Sequence, residues 1–326
     1  MTDPHLNLID GTWMPGDHLT ENRNPSDLSD LIGHYAAGTA DDVDRATQAA
    51  TAALPAWQAK GPLARAELLD RIARRIDAEA EAIGRMLARE EGKILPEAVA
   101  EVRRAAQIFR FFGGEALRIA GDAIASVRPD VDIAVTREPL GVIGLITPWN
   151  FPAAIPAWKV APALAYGNAV ILKPADLVPG TAHLLARIIH EEGCPAGIFN
   201  LVMGPGSVVG HALVHHPLVT AISFTGSVAT GRAIARSAGI GRRSGGSLGR
   251  RLEQRVELFD VHALHQVLVG LDGMARTQQA LRLGKGEGRH VQEGFDLGGQ
   301  GGQHGFELQA QQAEGFDAGG ADVVQA

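Results

Sequence analysis

The sequence predicts an α/β protein built on a doubly wound parallel sheet, with a mainly helical N-terminal part and a poorly structured C-terminal tail. Three observations carry this prediction. Between Val142 and Gly231, short β-branched runs alternate with helical segments of about ten to fifteen residues, the pattern of repeated βαβ units. Upstream, apolar residues recur at helical spacing over most of the first 120 residues. Beyond Arg243 the composition changes: the last 83 residues contain no Pro, Ile, Asn, Trp, Tyr or Cys, yet hold 17 of the 40 Gly and 11 of the 14 Gln.

The chain opens with a short strand pair around Leu6 to Trp13. Asp41 to Trp57 has an acidic start suited to a helix N-terminus and a helical apolar stripe. Pro62 to Glu91 and Glu97 to Ile119 repeat that period, with Gly92 and Pro96 as breakers between them. Residues 1–120 are therefore expected to form a mainly helical N-terminal part, opened by that strand pair. Next, the runs Val131 to Arg137 and Val142 to Thr147 flank a Glu-Pro-Leu-Gly turn, with a hairpin expected over 121–140. Over 141–243, helix Ala153 to Tyr166 leads to strand Ala169 to Lys173, helix Gly180 to Glu192 to strand Phe199 to Met203, and helix Val208 to His216 to strand Ala221 to Thr225. A last helix follows Ser227. In residues 244–326 the apolar spacing of Leu252 to Leu283 allows one or two helices, whereas Gly284 to Ala326 has too few apolar residues to bury a core.

Bulk properties narrow the function. A net charge of -7 and a pI near 5.9, with no basic run, argue against nucleic-acid partners. The N-terminus lacks a basic and then apolar leader, and no apolar stretch is long enough for a bilayer, so a cytoplasmic protein without membrane partners is expected. One cysteine, Cys194, excludes a disulfide framework and a Cys-rich zinc site, and no metal is expected.

In a doubly wound sheet, ligands sit beyond the C-terminal strand ends, so chemistry is sought there. Pro148 and Pro152 fix the backbone around Asn150, and a preoriented neutral amide can stabilise developing negative charge. The same residues also make a rigid turn around a buried, satisfied Asn. Lys173 and Asp176 can together hold ribose hydroxyls, or form a solvated ion pair. The clusters around Gly206 and Gly210 and at Gly226-Ser227 open helices whose N-termini can approach a pyrophosphate, although neither has the G-x-G-x-x-G spacing.

TPWNFP, ILKPA, GPGSVVG and SFTGSVATGR, in that order on successive strands, resemble the NAD(P)-dependent aldehyde dehydrogenase superfamily. The likeness runs from about Leu8 to Ala238 and includes DGTW, ENRNPSD, EEGK and FRFFGG. It is strongest toward dehydrogenases of 2-oxoglutarate semialdehyde (2,5-dioxovalerate), with succinate-semialdehyde and general aldehyde dehydrogenases as neighbours. The resemblance implies the Rossmann-like cofactor domain of that family, with residues 1–120 as its N-terminal part, and oxidation of an aldehyde, a small acidic semialdehyde, to the acid with NAD or NADP. It makes Asn150 the oxyanion donor. Ile146, Thr147, Pro148 and Trp149 would line the cofactor, Lys173, Ala175 and Asp176 would hold the adenosine ribose, and Gly206, Gly210, Phe224, Gly226 and Ser227 would sit by adenine and pyrophosphate. Phe151 and Trp158 map to aromatic walls of the substrate tunnel. Arg104 maps to a tunnel-facing position where it can bind a substrate carboxylate, with Arg103 and Arg110 as rivals. The 121–140 hairpin resembles the arm through which the family forms homo-oligomers, but its partner strand is missing.

The family's reaction needs a cysteine thiolate and a glutamate that activates water. Its E-L-G-G and G-Q-x-C segments are not found, because the likeness stops near Ala238. Glu253 and Glu257 lack the Gly-Gly context, and Cys194 falls in a helix-to-strand connection away from the reacting aldehyde. The expected reading is thus a family member lacking its catalytic domain and inactive, truncated or frameshifted near residue 240, with weak or no cofactor binding. The tail's composition fits GC-rich DNA read out of frame; an unbroken related reading frame in close relatives would contradict this. The alternatives are a non-catalytic nucleotide-binding remnant and an interaction protein using its tail.

Overall fold

In the computed structural model, residues 3–240, 255–260 and 275–283 are described. Strands β1 (Asn7–Ile9) and β2 (Thr12–Met14) form the expected N-terminal pair. Asp10 and Gly11 between them both take positive φ, the turn that suits right-twisted hairpins. A longer antiparallel pair follows, β3 (His18–Asn24) and β4 (Asp27–Ala37), which the sequence reading did not anticipate. Its outer half is exposed and polar, so the alternation that marks a half-buried strand is weak there.

Helix α1 (Ala40–Ala59) starts on a capping box in which Thr39 and Asp42 satisfy each other's backbone N–H. The stretch read as one helical run from Pro62 to Glu91 is two helices, α2 (Gly61–Ala78) and α3 (Ala80–Glu91), broken at Glu79. Periodicity does not register so short a break, because Ile72 and Ile76 before it and Ile83 and Leu87 after it all reach the core. Gly92, at φ 83°, closes α3, and Pro96 stands in the first turn of α4 (Leu95–Ala116), opening that helix instead of separating it from its predecessor.

The chain divides into two units. One comprises Gly121–Thr136 and Gln278–Ala326. It contains the hairpin of β5 (Asp122–Ala125) with β6 (Val131–Pro139), paired antiparallel from Asp122↔Val135 to Ala125↔Asp132. The other comprises Met1–Ala120 and Arg137–Thr277 and holds the main sheet. Its further elements are β7 (Val142–Ile146), α5 (Ala154–Ala165), β8 (Ala169–Lys173), α6 (Pro179–Glu191), β9 (Phe199–Leu201), a π-helical turn at Gly206–Gly210, α7 (His211–His215), β10 (Val219–Gly226), α8 (Val228–Ile240) and β11 (Arg255–Asp260). β12 (Ala275–Leu283) joins β6 and β5 as the third strand of their sheet.

Seven strands lie in the order β11-β10-β7-β8-β9-β1-β2, with β11 through β9 parallel and β1 antiparallel to β9. From β7 the chain winds outward through β8 and β9, then returns to place β10 and β11 on the other side. This is the doubly wound arrangement, and its winding reverses between β7 and β10. Helices α5 and α6 cover one face and are backed by α2, α3 and α4; α1, α7 and α8 cover the other. Strands β7 and β8 are buried along nearly their whole length, which explains their unbroken apolar sequences. Each fully buried Leu or Ile there contributes roughly 1.5–3 kcal/mol.

The apolar spacing predicts helix within Leu252 to Leu283; the described residues of that stretch are instead strands, β11 and β12, and the rest of it lies outside the described residues. The backbone edge of β10 offers β11 a full parallel ladder, from Ala221↔Arg255 to Gly226↔Asp260, and tertiary pairing of this kind overrides a weak local period. Glu257 stands opposite Ser223 in that ladder, and Glu253 lies outside the described residues. So does the remainder of the tail. Among the described residues, no helix is long and apolar enough to cross a membrane.

Candidate cofactor and oxyanion site

The winding reversal puts the end of β7 next to the end of β10. Thr147 extends the β7–β8 ladder, its N–H donating to the Lys173 carbonyl at 3.2 Å, and Pro148-Trp149-Asn150-Phe151-Pro152 then leaves the sheet. Two prolines restrict this turn, and a buried ionic brace holds it from behind. Lys93 donates through Nζ to the Asn150 carbonyl at 3.1 Å and to Glu101 Oε2 at 2.7 Å, approaches Glu91 at 3.1 Å, and stands 4.3 Å from the Phe151 ring centroid. Glu101 Oε1 accepts from the Ala153 and Ala154 N–H groups at 2.9 and 3.1 Å. Those N–H groups open α5, where Ala153 has no side chain able to cap them. Burial pushes the Lys93 ammonium down, but Glu101 and Glu91 outweigh it and leave its pKa above the ordinary value.

Asn150 Oδ1 and Thr147 Oγ1 are buried without a hydrogen-bond partner among the described residues. Unpaired polar atoms at a strand end fit a ligand that completes them. Trp149 beside them is 54% exposed.

At the end of β8, Lys173 is 5% exposed and donates to Asp176 Oδ1 at 2.7 Å, while the Asp176 side chain is half in solvent. The pair is therefore neither a free surface ion pair nor sealed. One carboxylate oxygen accepts from Lys173, and the half-exposed carboxylate keeps acceptor capacity that fits vicinal hydroxyls. The Ala175 carbonyl accepts from the Val178 N–H and closes the turn. A cleft of about 80 Å³ lies beside Asp176, lined by Thr20, Tyr35, Pro174, Pro179 and Pro205 among others. It adjoins the Lys173–Asp176 turn and does not reach Asn150 or Ser227.

The glycine turns differ from one another. A Cβ on Gly206 would come 3.9 Å from Lys173 Nζ, so this turn passes directly over the lysine. Gly210 is buried but a Cβ there would meet nothing, so space does not require glycine at that position. The strained position is Gly204, the first residue of the same cluster, at φ 131°, where a Cβ would come 3.0 Å from the Gly38 backbone. At the end of β10, a Cβ on Gly226 would strike the Phe224 ring at 2.6 Å. Ser227 caps α8, its Oγ accepting from the Thr230 N–H at 3.2 Å.

On the side of α4, Arg104 is exposed and its guanidinium lies 5.5 Å from the Trp158 ring centroid. Trp158 meets Phe112 edge-on at 6.1 Å. The rival arginines are engaged elsewhere, Arg103 with Glu81 at 3.6 Å and Arg110 with Asp77 at 4.0 Å. Phe151 lies under Lys93. Sequence reasoning also missed Lys159, 2% exposed, which donates to Ser223 Oγ at 2.8 Å between α5 and β10. Its signal was a single charge inside the otherwise apolar AIPAWKVAPALA.

Cys194 precedes β9 and so stands at the N-terminal edge of the parallel strands, opposite the site. It is buried, and desolvation pushes its thiol up to about 12. Native protein is expected to react negligibly with a thiol reagent and to gain one reactive thiol on unfolding in urea. Prompt labelling of the native chain would contradict this burial.

The aldehyde dehydrogenase family profile matches residues 13–245. The chain is 44% identical over 237 residues to the alpha-ketoglutaric semialdehyde dehydrogenase of Bacillus subtilis, covering 72% of this chain and 48% of that protein. It is 39% identical over 227 residues to the NADP(+) succinate-semialdehyde dehydrogenase of Escherichia coli, covering 69% and 47%. Among solved structures, a putative aldehyde dehydrogenase from Burkholderia cenocepacia superposes with TM-score 0.72 at 39% identity, over 78% of this chain and 50% of that one. Betaine aldehyde dehydrogenase from Staphylococcus aureus, in complex with NAD+, superposes with TM-score 0.73 at 31% identity, over 78% and 49%. The chain thus spans about half the length of the relatives it matches.

Proposed function

We infer the function from a fixed premise: the chain belongs to the aldehyde dehydrogenase family. It is the nucleotide-binding and oxyanion-binding part of an NAD(P)-dependent aldehyde oxidoreductase, and by itself it does not turn over aldehyde. The observation that carries this reading is the half-buried Lys173–Asp176 pair under the Gly206 turn, at the end of the strand beside the one that leads to the orphaned Thr147 and Asn150 side-chain oxygens.

Bound there, NAD(P)+ supplies the hydride acceptor. Lys173 and Asp176 hold the adenosine ribose, with Ala175 shaping their turn. Gly206, Gly210, Phe224, Gly226 and Ser227 border adenine and pyrophosphate, and Ile146, Thr147, Pro148 and Trp149 line the cofactor on the β7 side. The Asn150 amide donates to the aldehyde oxygen as that oxygen gains negative charge. Arg104, lying over Trp158, meets the carboxylate of a small acidic semialdehyde, in keeping with the relatives' names, and Phe151 walls the approach. The only cysteine is protonated and on the wrong side of the sheet, so the chain supplies no thiolate to form the thiohemiacetal. The same proposal takes residues 141–243 as the cofactor-binding part and puts the protein in the cytoplasm; with the arm's partner strand missing, it carries over no homo-oligomer.

Asp176 sets the cofactor preference. Its carboxylate accepts from ribose hydroxyls but repels a 2′-phosphate, so NAD+ is expected to bind more tightly than NADP+. Titration of the purified chain, followed by calorimetry, is expected to show weak, saturable binding of NAD+ and ADP-ribose. Asp176→Ser should weaken NAD+ and strengthen NADP+. Absence of binding to either nucleotide by the folded chain would overturn the reading.

A further inference from the structure

Glu90, in the last turn of α3, is 3% exposed, and the basic residue of that turn, Arg89, pairs with Asp30 instead. Its Oε2 accepts from Asn22 Nδ2 at 2.9 Å and from the Gly180 N–H at 2.8 Å, and its Oε1 accepts from the Thr181 N–H at 2.7 Å. These two backbone groups open α6, the helix that follows the Lys173–Asp176 turn. The position that normally caps a helix is occupied here by Val178, which has no side-chain acceptor, and Pro179 has no N–H. Glu90 therefore supplies, from 90 residues upstream, the cap that the local sequence lacks. The approach is close: a Cβ at 180 would lie 2.8 Å from Glu90 Oε2 and 2.7 Å from the Tyr35 hydroxyl, so a larger residue there would displace these side chains. Burial pushes the Glu90 carboxyl up to about 7 against the pull of its N–H donors.

We propose that Glu90 is a positioning residue of the nucleotide site: by capping α6 it fixes the turn that carries Lys173 and Asp176. The proposal rests on the cofactor role assigned to that pair. Asp176 and Val178 are separated by one residue, and the Val178 N–H is itself bonded to the Ala175 carbonyl, so a frayed first turn of α6 loosens the ribose-binding pair directly. The carboxylate also closes this helix N-terminus to phosphate.

The test compares the full chain with Glu90→Ala, Glu90→Gln and the double variant Glu90→Ala with Val178→Ser, all checked for intact secondary structure. Val178→Ser restores a local cap without restoring the carboxylate. Hydrogen exchange at Gly180 and Thr181 is expected to accelerate about five- to tenfold in Glu90→Ala, the scale of a lost cap. NAD+ affinity should fall by a similar factor. The Ser variant should recover much of both, and Glu90→Gln, which keeps the volume and one acceptor, should fall between. Unchanged exchange at 180 and 181 overturns the capping role, and unchanged NAD+ affinity with accelerated exchange overturns the positioning role. Loss of affinity that Val178→Ser does not recover, with exchange restored, also overturns it. If the unaltered chain binds no nucleotide, the functional reading falls, and the exchange measurement still decides whether Glu90 orders the turn.

Discussion

Replacing Lys173 with Met is expected to weaken NAD+ binding by about ten- to a hundredfold, while leaving the fold nearly as stable as before. The side chain is buried along its stem and delivers one ammonium to Asp176 and to the space under Gly206. Met fills the volume of the stem but cannot donate. A hydrogen bond to a charged group contributes roughly 1.5–3 kcal/mol, which sets the range of lost affinity. Stability should change little because Asp176 is half exposed and water can solvate it once its partner is gone. Calorimetric titration beside a urea melt separates the two effects. Equal affinities in the variant and the unaltered chain would show that Lys173 is only a structural ion-pair partner.

The largest effect on stability is expected from Glu101→Ala, at about 3–5 kcal/mol. Glu101 joins three parts of the structure: it pairs with Lys93, caps α5 through Ala153 and Ala154, and steadies the turn whose Asn150 carbonyl Lys93 also holds. Removing it leaves two α5 N–H groups without their acceptor and takes the nearer of two carboxylates from a mostly buried ammonium, which keeps Glu91 and the Asn150 carbonyl. Against a total stability of roughly 5–15 kcal/mol, that is enough to bring a single domain near its unfolding threshold. Lys93→Met leaves Glu101 buried without its counter-charge, and the double variant should be more stable than the sum of the single losses implies. Urea melts of the three variants provide the coupling. Additivity to within about 0.5 kcal/mol would show that the two residues act independently.

The parallel core was legible because strands buried on both faces leave continuous apolar runs, as in Ala169 to Lys173, and because the helices between them have clear periods. The hairpin at 18–37 was not, since its polar outer half carries little alternation. The break at Glu79 was hidden for a similar reason, with apolar residues continuing through the turn. At the site, Asn150, Lys173, Asp176 and Ser227 could be placed on strand ends from sequence order alone. Their supports could not. Glu101 reaches Ala153 across 52 residues and Glu90 reaches Thr181 across 91, contacts that depend on how α3 and α4 pack behind the sheet. Two prolines seemed sufficient to fix Asn150; the structure adds Lys93 and Glu101. The glycine cluster was legible, but not which glycine the backbone needs: a Cβ at Gly210 would meet nothing, whereas Gly204, given no role from sequence, has positive φ and a close backbone neighbour.

The central claim is that this chain keeps a nucleotide site and an oxyanion donor but supplies no usable nucleophile. The most direct measurement is to saturate the purified chain with NAD+, add a small acidic semialdehyde, and follow nucleotide binding by Trp fluorescence together with NADH absorbance. Saturable binding with no aldehyde-dependent NADH is the predicted result. NADH formation that requires the aldehyde and disappears in Cys194→Ser would contradict it.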